Sequence, residues 1–171
     1  KGLGLSRKRR FTYYLAVVSI PLFMIWATFA FALFIERDLL RQALAIAVSA
    51  LTALFFESMV IYQKDLARFK EYALENLASY MAILTIFLGV SALLGVRLLL
   101  SFNVGLTAIL LIILISLLTH SIFWFSGLDL PIASGVVWGI VLIGVEIFWA
   151  LNILPLHFMT SGAILTVLWY T

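Results

Sequence analysis

The chain has 171 residues, 65% of them hydrophobic and 11% charged, with a formal net charge of +3 and a mean hydropathy of +1.19. A soluble domain is about 45–50% apolar and about 25% charged, so too few polar side chains are present here to build a water-facing surface, and lipid is the expected solvent. Cysteine is missing, which excludes disulfides, thiolate metal sites, iron–sulfur clusters and cysteine nucleophiles.

The expected fold is all-α: a polytopic transmembrane helix bundle of six spans forming one membrane domain over residues 1–171. A helix needs about 20 apolar residues to cross roughly 30 Å of hydrocarbon. Runs of that kind cover 11–35, 39–61, 77–99, 104–125 and 130–151. The last run, 156–171, has 16 residues and reaches only ~24 Å at about 1.5 Å per residue, so the sixth span is expected to be short or truncated. Strand-like alternation is missing from all six, which argues against a β-barrel. Ala30-Phe31-Ala32 resembles a signal-cleavage site, but the preceding apolar stretch exceeds the usual h-region, and a retained anchor is expected. Between the second and third runs, residues 63–76 place Leu66, Phe69, Ala73 and Leu77 on one side of a helix and Lys64, Arg68, Glu71 and Glu75 on the other. That pattern predicts an amphipathic connector.

Lys1, Arg7, Lys8, Arg9 and Arg10 crowd the first ten positions, so the basic residues make no soluble face for nucleic acid. Putting the N-terminus in the cytoplasm places eight Lys and Arg inside and three (Arg37, Arg41, Arg97) outside. This bias sets the expected orientation, in a plasma (inner) membrane.

Ionisable groups within a span cost roughly 2.5–3.5 kcal/mol and are expected to face protein. Glu146 lies within about 40° of Gly135 and Gly139 on a helical wheel, and those glycines form a GxxxG pattern that suits close helix approach. The packing face of the fifth span is therefore expected to carry Gly135, Gly139 and Glu146. Arg97, at similar depth, is the expected counter-charge, with Asn152 and His157 at similar height. Nearer the opposite end, Glu57 follows Ser49, Ala50 and Ala53 and is matched in depth by His120. Each pair is expected to lock helix register or, alternatively, to line a polar path. Pro21, in mid-span, is expected to kink the first helix.

No metal-ligand spacing such as HExxH, phosphate-binding loop or dinucleotide fingerprint occurs, so no cofactor or metal is expected. Ile132-Ala133-Ser134-Gly135 lacks the leading glycine of the GxSG motif of rhomboid proteases, and no catalytic set is assigned. The favoured reading is a non-enzymatic membrane subunit or scaffold. Its expected partners are the lipid bilayer and other membrane proteins or further copies of itself. A small transporter or channel is the alternative, and an intramembrane enzyme comes third.

Overall fold

The computed structural model describes the backbone of residues 7–64, 73–125 and 130–171, and the side chains of 18–61, 74–123 and 134–171. Six helices lie on the six apolar runs: α1 (Arg7–Ala32), α2 (Asp38–Lys64), α3 (Ala73–Leu100), α4 (Val104–Phe125), α5 (Leu130–Ile153) and α6 (Phe158–Tyr170). The described residues contain no strand. Most of the connector expected at 63–76 lies outside them. Four helices, α2 to α5, are long and apolar enough to cross a membrane. At 13 residues α6 is about 20 Å long and falls short of a full crossing. Pro21 is buried within α1, and the helix continues through it to Ala32.

The turns are chemically specified. Arg37 caps α2 by accepting the backbone N–H of Arg41 at 3.1 Å, while the Arg41 guanidinium donates to the Ile35 carbonyl at 2.9 Å and pairs with Asp38 at 3.5 Å. Three residues join α3 to α4. Ser101 takes a left-handed conformation, φ 51°, and Asn103 caps α4 by accepting from the backbone of Gly105 at 2.8 Å and Leu106 at 3.3 Å. Asn103→Ala should lower stability by about 1 kcal/mol, read as a lower melting temperature in detergent. His157 caps α6, its Nδ1 accepting from Met159 N at 3.4 Å.

The hub is α3. It packs against α1, α6, α4 and α2, and half of its apolar window is buried, against 17% of the window in α2. Hydrophobicity all round suits a helix covered by neighbours on several sides. On α1 the buried stripe is Ile20, Met24, Ala27 and Phe31, the i, i+4, i+7, i+11 spacing of one helical face. A methyl group at Gly89 of α3 would lie 3.6 Å from Ala27 and 2.7 Å from Leu114, so this glycine lets α1, α3 and α4 converge. Helices α2 and α5 are the flanks. Among the described residues α2 touches only α1 and α3, and α5 touches only α4 and α6.

Polar stitches cross the bundle. The Ser19 and Ser121 hydroxyls, 2.7 Å apart, tie α1 to α4, and Trp169 Nε1 donates to Thr119 Oγ1 at 3.0 Å, tying α6 to α4. Interhelical bonds of this kind contribute roughly 0.6–2 kcal/mol each. Trp169→Phe, which keeps the ring and removes the donor, should cost about that much, measured as a lower unfolding midpoint in mixed micelles.

Candidate functional site

The side of α5 that packs is the opposite of the one expected. Its buried residues are Val137, Val141, Gly144, Phe148 and Leu151. At 100° per residue they centre about 180° from the line through Gly135, Gly139 and Glu146. Gly144 is the glycine in use: a methyl there would meet Ile115 Cδ1 of α4 at 2.8 Å. By contrast Gly135, Gly139 and Glu146 are all exposed, and a methyl on either glycine would meet nothing within 4 Å among the described residues. Trp138 and Leu142 flank them at 63% exposure each. The GxxxG line and its carboxylate therefore form an open groove on the outer side of a flanking helix.

Neither expected polar pair is brought together. Arg97 lies half-buried in the last turn of α3, where a cation complements the helix dipole. Among the described residues α3 and α5 do not touch, which keeps Arg97 from Glu146. Glu57 is exposed on α2 and His120 half-buried on α4, and those two helices do not touch either. Matching depth decided these pairings in the sequence, and helix adjacency undoes them. Asn152, near the end of α5, has both side-chain amide atoms buried without a hydrogen-bond partner. His157, by contrast, is used as a cap.

Among the described residues, three of the surface clefts are lined by neither Glu57, Arg97, His120 nor Glu146. One of about 390 Å³ lies between α4, α5 and α6, with mostly apolar walls that include Ile143, Leu168 and Trp169. A shallow one of about 310 Å³ runs along α3 and α6 beside Tyr80 and Phe87. The largest of these three, about 960 Å³, opens where the α1–α2 and α5–α6 turns meet. Phe31, Phe34, Phe87 and Phe158 supply its apolar walls, and Glu36, Arg37, Arg41 and His157 its polar ones. Phe34 and Phe158 pack at a centroid distance of 5.6 Å, and Phe31 and Phe87 at 6.0 Å. Sequence reasoning missed this site because its charges belong to turns that read as ordinary span ends. The doublet Glu36-Arg37 with Arg41 one turn later was the available signal.

No group of three or more His, Asp or Glu among the described residues could hold a metal ion. No protein-family model, curated protein or solved structure matches this chain.

Proposed function

We propose that this chain is a six-span, non-enzymatic subunit or scaffold of the plasma (inner) membrane, with its N-terminus in the cytoplasm, and that it acts by packing α5 against a transmembrane helix of another protein. One observation carries the reading: Gly135, Gly139 and Glu146 share an exposed line of α5 that the described residues leave uncovered. A carboxylate facing hydrocarbon costs roughly 2.5–3.5 kcal/mol. A helix seated on the glycines, with a basic or hydrogen-bond-donating side chain at the depth of Glu146, would remove that exposure. Small residues bring the two backbones close enough for van der Waals packing to hold them. The transporter reading has less support, because the intramembrane polar groups lie on separate helices and line none of the clefts.

A photo-crosslinking residue at position 139 tests the proposal in intact membranes. Adducts should form with a partner chain at 139 and not at Ile109 of α4, a side chain 53% exposed. Equal yields at both positions would overturn the reading, and adducts only between copies of this chain would replace the heterologous partner with a homodimer.

A further inference from the structure

We infer that the cleft at the α1–α2 and α5–α6 turns binds a zwitterionic glycerophospholipid through both charges of its headgroup, with an acyl chain lying between the phenylalanines. The inference needs the helices to lie in a bilayer, but does not depend on what α5 packs against.

Size and polarity come first. A cleft of about 960 Å³ is at the upper end of the roughly 300–1,000 Å³ typical of small-molecule pockets. It is open and not enclosed, as entry from a bilayer requires, and its apolar walls include two pairs of aromatic rings in contact. Its charges gather at one end, at the turn where a headgroup layer would lie.

Charge then selects the headgroup. Arg41 is positioned by the Ile35 carbonyl and by Asp38, whereas the side chain of Arg37 has no hydrogen bond or ion pair among the described residues. Arg37 and Arg41 stand one turn apart, Arg37 accepting the Arg41 N–H, and two such guanidinium groups suit a phosphate diester. Glu36 lines the same cleft and is likewise unpaired among the described residues. A carboxylate there opposes a headgroup of purely negative charge and complements an ammonium. It favours a primary ammonium, which donates hydrogen bonds, over a quaternary one, which cannot. His157, whose Nδ1 accepts the Met159 N–H, has Nε2 left to donate. Phosphoethanolamine uses all of these groups.

Native mass spectrometry of the purified full chain, after equilibration with equimolar phosphatidylethanolamine, phosphatidylcholine and phosphatidylglycerol, tests this. Phosphatidylethanolamine should be retained in preference. Arg37→Ala should reduce its retention roughly tenfold with an unchanged melting temperature, and Arg37→Lys should restore part of it. Glu36→Gln should bring the ethanolamine and choline lipids to parity while both still bind. Leu40→Trp, at a half-exposed wall position, should fill the cleft and displace all three. Preference for phosphatidylglycerol, equal retention of all three lipids by the unaltered chain, or retention insensitive to Arg37→Ala would overturn the inference.

Discussion

Replacing Gly162 by leucine should prevent the bundle from assembling, and Gly162→Ala should destabilise it by about 1–3 kcal/mol, the usual cost of overpacking. Gly162 lies where α6 crosses α3. A methyl there would collide with the Ser91 hydroxyl and stand 3.0 Å from Ser91 Cβ and 3.1 Å from Ser91 N. A flexible side-chain tip could swing aside, but the backbone of a helix packed on four sides cannot. Ser91 is fully buried and its Oγ has no hydrogen-bond partner. The Gly162 Cα–H occupies the direction a methyl would take and can supply only a weak C–H···O contact. A buried unsatisfied hydroxyl costs about 1–3 kcal/mol, so Ser91→Ala should be neutral or stabilising. It should also relieve part, not all, of the Gly162→Ala defect, because the Cβ and N contacts remain. Thermal unfolding of the four proteins of this double-mutant cycle in detergent checks the prediction. Additive effects of the two changes would show that the contact is looser than the structure has it.

The α5 line should behave in the opposite way, with changes there leaving the monomer intact and weakening its association with a partner helix. Gly139→Leu should weaken the complex at least about tenfold, which is about 1.4 kcal/mol, since a branched side chain separates two close-packed backbones. Glu146→Leu should weaken it about 3- to 30-fold through the lost interhelical hydrogen bond. The same substitution removes a carboxylate from an apolar face, so the isolated chain should melt at an equal or higher temperature. Gly144→Leu is the control. It strikes Ile115 within the chain's own α4–α5 contact and should lower the melting temperature. Quantitative co-purification from mild detergent, paired with melting of the isolated proteins, separates the two classes. Equal destabilisation by Gly139→Leu and Gly144→Leu would place both glycines in the intramolecular core and remove the basis for a partner.

The sequence by itself determined the helical class and the placement of the helices. Long apolar runs must satisfy their backbone groups internally once water is excluded, and an α-helix does so within a single segment. The breaks between runs were equally legible, since Glu36-Arg37-Asp38 and Ser101-Phe102-Asn103 are polar and turn-forming. Which side of each helix packs was decided only by tertiary structure. In a soluble helix the buried face is the apolar face, but here both faces of α5 are apolar, and Val137-Val141-Phe148 competes with Trp138-Leu142-Trp149 on equal terms. Gly135 and Gly139 drew the choice by matching a motif, while Gly144 and Gly162, which the packing does require, stand alone and match none. Adjacency was hidden for a related reason. Depth along the bundle follows from counting residues, and so Glu146 was set beside Arg97 and Glu57 beside His120. Whether two helices touch depends on how all six side surfaces fit together: α4 and α6 stand between α5 and α3, and α1 and α3 between α2 and α4, so neither pair meets among the described residues.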